Sequence, residues 1–445
     1  MSHPYLGLTD EDRQAMLETI GVESVDELFR DIPAAMHFGR ELALEPALNE
    51  HELAAHMQAL AARNVATTQE ISFLGAGIYD HYVPAVVDAV LQRGEFLTAY
   101  TPYQPEMSQG VLQAIFEYQT AICELTGMDV SNASGYDGTT VTADACFIAK
   151  HATGKSRIVI TEATNPQVRQ VVKTYAPGFG LEVVEVPQRD GTTDPDDVRA
   201  VADDAAAVIF QHPNVFGCLE PAPELAAAAN EAEAIPIVHV DPLSLGVLEA
   251  PGRYGCGIAL GEGQAAGNFP AYGGPHYGFL AARQSFIRRM PGRIVGETVD
   301  AAGKRGYVLT LQTREQHIRR EKATSNITTN QTLLALAGLV HLSLLGPQGL
   351  RELGETCMAL AAYAKDRLQE AGLEPTFANK ATFKEFAVRV GRNGKHAIAS
   401  ARRHGVHPGY ALGRDYPGLD DSLLVAVTEQ RTVEDIDLLV EALQL

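Results

Sequence analysis

Basic charge is scarce in this chain. Across 445 residues, 35 Lys and Arg face 56 Asp and Glu, a formal net charge of −21. Binding nucleic acid requires a cationic face to meet phosphates, so this composition argues against it. Surplus acid of this kind serves solubility first. Cysteine is equally sparse: five residues (Cys123, Cys146, Cys218, Cys256, Cys357) with no C-x-x-C pair and no metal spacing. That is the pattern of reduced, buried thiols in a cytosolic protein. His51 and His56 lie five apart, which does not set them on one helical face as a zinc pair needs, so no metal site is expected. The opening Met-Ser-His-Pro-Tyr-Leu-Gly lacks a basic region followed by an apolar core, and no signal peptide is expected. The most apolar window, residues 333–345, contains His341 and Ser343 and falls short of the roughly 20 residues of a membrane helix. A soluble, cytoplasmic protein that binds neither membrane nor nucleic acid is the expectation. Gly75-x-Gly77 lacks the third glycine and the preceding βαβ strand of a dinucleotide site. Lysine, finally, is missing altogether between Lys173 and Lys304.

What is present is 46% hydrophobic, with 40 Gly and 23 Pro, as in a large α/β domain with a smaller companion. The first seventy residues read as short helices. Thr9 with Asp12, Ser24 with Glu27 and Asn49 with Glu52 each pair an N-cap acceptor with a carboxylate three residues on. Such helices have too little apolar face to fold alone, so residues 1–70 form an arm expected to wrap another domain or subunit. Tyr100-Thr-Pro-Tyr-Gln-Pro-Glu-Met-Ser-Gln-Gly110 is rigid and polar, fit to shape a site or an interface, or to serve as a connector. From residue 111 a helical period runs to Gly127. From Ser156, strand-like and helical segments alternate, which predicts a doubly wound parallel sheet within residues 71–330. Ser131-Asn-Ala-Ser-Gly-Tyr-Asp137 opens a helix. Its Ser134–Gly135 turn reads equally as a phosphate cradle or as an ordinary capped start. Gln312-Thr-Arg-Glu-Gln-His-Ile-Arg-Arg-Glu-Lys-Ala-Thr-Ser-Asn326 is a basic island, either a solvated helix face or an anion-facing surface. Residues 331–445 read as two connecting helices, joined at Gly346-Pro347, and a small α+β domain.

The centre of the chain is residues 235–283. Ile-Pro-Ile-Val-His-Val reads as a buried parallel strand ending at Asp241. A second run, Ile258-Ala-Leu260, leads into a glycine-rich loop, and a third strand begins at Tyr277. In pyridoxal-phosphate enzymes of the aminotransferase-like fold, an Asp at such a strand end holds the pyridinium nitrogen. A lysine some twenty-odd residues later forms the Schiff base. Here the Asp is present and the lysine is not.

Three motifs together resemble one family, the glycine-cleavage P protein, and within it the α subunit of the two-subunit form. They are Phe73-Leu-Gly-Ala-Gly-Ile-Tyr79, Tyr100-Thr-Pro-Tyr-Gln-Pro-Glu106 with Ser108-Gln-Gly, and the stretch of the basic island from Arg314 continued to Ile327. The resemblance covers nearly the whole chain, with a small departure at Thr328. It implies a type I pyridoxal-phosphate fold, a large α/β domain with a small α+β C-terminal domain. It also implies glycine decarboxylation, with transfer of the aminomethyl group to the lipoyl arm of the H protein. The cofactor and its lysine would belong to a partner, subunit 2, in a heterotetramer with two of each subunit. Laid against that partner, Phe269-Pro-Ala-Tyr-Gly-Gly-Pro275 places the missing lysine at or near Gln264. An amide forms no aldimine, so Ser134, Gly135 and Asp241 would be relics of a cofactor site and no catalytic residue is expected here. Two rivals are a self-sufficient pyridoxal enzyme using a lysine elsewhere, such as Lys150 or Lys322, and a non-enzymatic binding protein on the same fold.

Overall fold

The computed structural model describes residues 5–323, 325, 327 and 330–445. Thr328 and part of the basic island lie outside them. The chain forms two compact units, one up to Val65 and one from Ala66 to Leu445.

In the first unit, helices Asp10–Ile20 and Glu50–Ala61 flank the short turn Val25–Phe29. The capping pairs form as their spacing predicts: the Asp12 N–H donates to Thr9 Oγ1 at 3.1 Å, and the Glu52 N–H to Asn49 Oδ1 at 2.9 Å. Little is buried. Leu17 is the buried residue of the first helix, and the second has none.

The second unit is built on a seven-stranded sheet. Its order is Val130–Ser131, Gly278–Ala282, Ile258–Glu262, Ile235–Val240, Ala205–His212, Arg157–Thr161 and Glu182–Val186. Neighbours pair in parallel except around Gly278–Ala282, which runs antiparallel to both of its partners. All eight residues of Ala205–His212 are buried, which is why the strands read as unbroken apolar runs. Alternate side chains serve opposite faces. Val208, Phe210, Val238 and Val240 pack with Tyr118 and Ile122 of helix Gln109–Thr126 and with Leu225 and Ala226 of helix Ala222–Glu231. Ala207, Ile209, Ile237 and Leu260 pack with Val141, Ala145 and Ile148 of helix Gly138–Thr153.

The C-terminal layer is a three-stranded antiparallel sheet, Glu385–Arg389, Ser422–Ala426 and Tyr410–Ala411, covered by helices Gly394–Arg402 and Val433–Gln444. Phe73 belongs to its core with Phe386, Val425 and Leu439. Ile71–Ser72 pairs with Val406–His407, so the segment after residue 70 is tied into this layer before the chain enters the large sheet. Helix Thr332–Glu370 breaks at Gly346 (φ 61°, ψ −177°) beside Pro347. By length and composition it is apolar enough to cross a membrane. The break, and the burial of Ala335, Leu336, Ala337, Leu339 and His341, make it a core element.

Two expectations change. Ile294–Val299 and Arg305–Thr310 form an antiparallel hairpin that the sequence did not announce. The basic island is no helical face: its described part is the short turns Gln312–Arg314, Gln316–Arg319 and Arg320–Lys322. Arg314 turns inward and donates to the carbonyls of Met290 and Gly292.

Candidate functional site

The parallel strands end on one edge, and ligand sites of open α/β sheets lie outside such carboxyl ends. Asp241 follows the last residue of Ile235–Val240. Its Oδ1 accepts the Leu243 N–H at 3.0 Å, because Pro242 forces a turn there. Gln264 stands two residues beyond Ile258–Glu262 and is fully buried. Its Oε1 accepts the Tyr79 N–H at 2.8 Å, and its Nε2 donates to the carbonyls of Tyr79 (2.9 Å) and Asn268 (2.7 Å). Both donors of the amide are therefore spent on backbone.

Asp241 meets a residue that sequence reasoning did not single out. Lys384 opens the strand side of the C-terminal layer, and its Nζ lies 2.5 Å from Asp241 Oδ2, with the lysine side chain 2% and the aspartate 10% exposed. The ammonium also sits 3.6 Å above the Tyr79 ring centre and 2.8 Å from His81 Nε2. Burial and the neighbouring Lys384 charge depress the basicity of His81, so its ring is neutral. In that state Nε2 accepts from Lys384, and Nδ1–H donates to Glu429 at 2.6 Å. Burial alone would raise Glu429, but hydrogen bonds from His81 and the Tyr82 N–H outweigh it and bring it to about 2. Glu385 accepts the Tyr79 hydroxyl at 2.7 Å and the Ala76 N–H at 2.8 Å, and burial pushes it up to about 7. The signal for this pair was visible: Lys384-Glu385 is a charged step at the mouth of an apolar strand.

The turn around Ser134 and Gly135 leads into helix Gly138–Thr153, whose start is already filled. The Gly138 N–H donates to Glu262 at 3.0 Å and the Thr140 N–H to Asp137 at 2.7 Å. Burial pushes Glu262 up to about 8. A Cβ at Gly138 would come within 2.6 Å of the Glu262 backbone nitrogen, so helix start and strand end are in direct contact. Ser134 holds φ at 118° and is buried, its Oγ accepting from Asn330 at 3.1 Å. Gly135 pairs with Gly278.

Between these groups lies a cavity of about 30 Å³, lined by Tyr79, His239, Asp241, Glu262, Lys384 and Glu385 among others. Neither Lys150 nor Lys322 lines it. Lys150 donates to the Phe179 and Gly180 carbonyls at the far end of its helix, and Lys322 is exposed. Donor atoms of His81, Cys357 and Glu429 lie within 4.8 Å of one another, a separation open to a metal ion. The Lys384 ammonium and the His81–Glu429 hydrogen bond already supply cation and contacts there. Elsewhere, Tyr100 and Tyr103 of the rigid loop are 76% and 53% exposed, and Arg293 donates to the Tyr103 hydroxyl at 3.1 Å.

The family description "Glycine cleavage system P-protein" matches residues 3–443. The chain belongs to this family. A protein of Geobacillus kaustophilus named "Probable glycine dehydrogenase (decarboxylating) subunit 1" is 50% identical over 444 residues, 100% of this chain and 99% of its own. A crystal structure of glycine decarboxylase (P-protein) of the glycine cleavage system, in inhibitor-bound form, superposes with a TM-score of 0.91 at 42% identity over 99% of each chain. Alanine–glyoxylate aminotransferase from Nostoc superposes at 0.60 with 16% identity, covering 91% of this chain and 97% of its own, a likeness of fold alone. The P-protein fold seen here is the type I, aminotransferase-like fold of pyridoxal-phosphate enzymes.

The residues present do not fit that cofactor. Asp241 already has a cation, the helix start has carboxyl groups, and the loop after Ile258–Glu262 offers the buried amide of Gln264 and no amine. A volume of about 30 Å³ is an order of magnitude below the roughly 300 Å³ at which small-molecule sites begin.

Proposed function

We propose that this P-protein chain is subunit 1 of a two-subunit glycine dehydrogenase (decarboxylating). Its partner, subunit 2, carries the pyridoxal phosphate and the Schiff-base lysine, and two copies of each subunit form a cytoplasmic heterotetramer. The assembled enzyme decarboxylates glycine and passes the aminomethyl group to the lipoyl arm of the H protein. The cofactor, bound by the partner, supplies the electron sink for the carbanion left by CO₂. This chain's part is structural: it completes the partner's site across an interface and shapes the entry for the lipoyl arm. The loop with exposed Tyr100 and Tyr103 is one surface suited to that task.

The observation that carries this reading is Gln264. It lies at or near the loop position where the resemblance would put the lysine, fully buried and with both amide donors engaged on backbone. Lys384 does not rescue a self-sufficient enzyme, because its amine sits on Asp241, at the end of the site where a ring nitrogen, and not the reacting aldehyde, would lie.

Co-expression with subunit 2 followed by a glycine–bicarbonate exchange assay tests the proposal. Exchange is expected from the pair and not from this chain. Borohydride reduction of the isolated chain with pyridoxal phosphate should label no lysine; one lysine labelled to high occupancy would refute it.

A further inference from the structure

The buried charges around Asp241 are more than the remains of a lost site. We propose that the chain's own side chains occupy the place of the cofactor and use it as a clamp. The Lys384 ammonium stands on Asp241 where a protonated ring nitrogen would, and the Glu262 carboxyl stands at the Gly138 helix start where a phosphate would. This inference rests on the reading that the chain carries no pyridoxal phosphate.

Three observations converge on it. Three corners of the site are taken by the chain's own groups: a cation on the carboxylate, an acceptor on the helix N–H and, at or near the place the resemblance gives the lysine, the amide of Gln264. The groups also come from different parts of the fold. Lys384 and Glu385 belong to the C-terminal layer, Asp241, Glu262 and Gln264 to the large sheet, and Tyr79 and His81 to the segment between. That segment is held from both sides, its Tyr79 backbone by Gln264 and its Tyr79 hydroxyl by Glu385. Lastly, His81 relays the Lys384 contact to Glu429, so the second carboxylate ties the same lysine back to the C-terminal layer. The buried ions are paired, and removing one partner of such a pair strands the other in a low-dielectric interior.

The consequence is that Lys384 and Asp241 are one energetic unit, and that pyridoxal phosphate is excluded even from reversible binding. The test uses the full-length chain in three forms, Lys384→Met, Asp241→Leu and the double variant. Each single change is expected to lower the melting temperature by several degrees. The double is expected to melt well above the sum of the two losses, because no orphaned charge remains. Lys384→Arg, which keeps the cation, is expected to recover most of the loss. If Lys384→Met yields no soluble protein, the comparison of Asp241→Leu with the double variant still decides: the double must be the more stable of the two, or equal to it. Additive losses would overturn the proposal. So would saturable calorimetric binding of pyridoxal phosphate to the unmodified chain with no borohydride-trapped lysine. A trapped lysine is a different failure, since it would refute the reading that this chain lacks the Schiff base, whatever the melting temperatures show.

Discussion

Putting the lysine back, as Gln264→Lys, is the change that asks most directly whether one residue separates this chain from an active copy. The amide accepts the Tyr79 N–H at 2.8 Å and donates to two carbonyls. While charged, a lysine can donate to the Tyr79 and Asn268 carbonyls but has nothing to accept with, so the Tyr79 N–H is orphaned, at about 1–3 kcal/mol. The new ammonium is also fully buried, which disfavours its charged form. The neutral amine has a lone pair for the Tyr79 N–H, but becoming neutral at pH 7 from an ordinary value near 10.4 costs at most about 5 kcal/mol. By either route the loss is roughly 1–5 kcal/mol, a sizeable share of the stability of an ordinary domain. The chain should fold but melt markedly lower. It should gain no function, because Asp241 remains engaged with Lys384 and the helix start with Glu262. With pyridoxal phosphate added, the visible spectrum should show at most weak aldimine absorbance, and the chain alone should decarboxylate no glycine. In complex with subunit 2, activity per folded enzyme should stay near that of the unmodified pair. Stoichiometric aldimine absorbance together with glycine decarboxylation by the variant alone would refute the reasoning.

Gly138→Ala should destabilise by about 1–3 kcal/mol or more, as overpacking does, since the new Cβ meets the Glu262 backbone at 2.6 Å; thermal melts compare it with the unmodified chain. The acid dependence of stability should follow the buried carboxyls. Glu385 and Glu262 sit at about 7 and about 8 in the fold against 4.5 ordinarily, so the folded chain binds the extra protons. Their contribution is full below 4.5 and is lost as pH rises through 7 to 8. Glu385→Gln should flatten the melting curve against pH between 4.5 and 7, and an unchanged slope would contradict the assignment. Glu429 acts in the opposite sense: its contribution is present above 4.5 and is lost as pH falls toward 2. The first unit, with one buried residue in its two helices, should gain protection from proteolysis when subunit 2 is added, and equal cleavage rates with and without the partner would argue against a wrapping arm.

Much of this protein was legible one residue at a time. The strand 235–240 declares itself because a sheet covered on both faces needs apolar side chains pointing both ways. Helix starts at Thr9 and Asn49 declare themselves because a cap is a contact between residues three apart. The hairpin at residues 294–310 stayed hidden since Gly296, Glu297, Gly306 and exposed Val299 dilute its alternation, and its stability comes from cross-strand partners.

The site divides along the same line. Asp241 at a strand end, and the absence of any lysine near Gln264, are local facts, and the sequence alone determined that no Schiff base could form at that loop. What fills the space instead was decided by tertiary structure. Lys384 reaches Asp241 only because the C-terminal layer folds back over the sheet edge, and Glu262 reaches the Gly138 helix start only because strand and helix ends meet there. Burial then pushes Glu262 and Glu385 up and His81 down, and burial belongs to the packed fold, not to any stretch of chain.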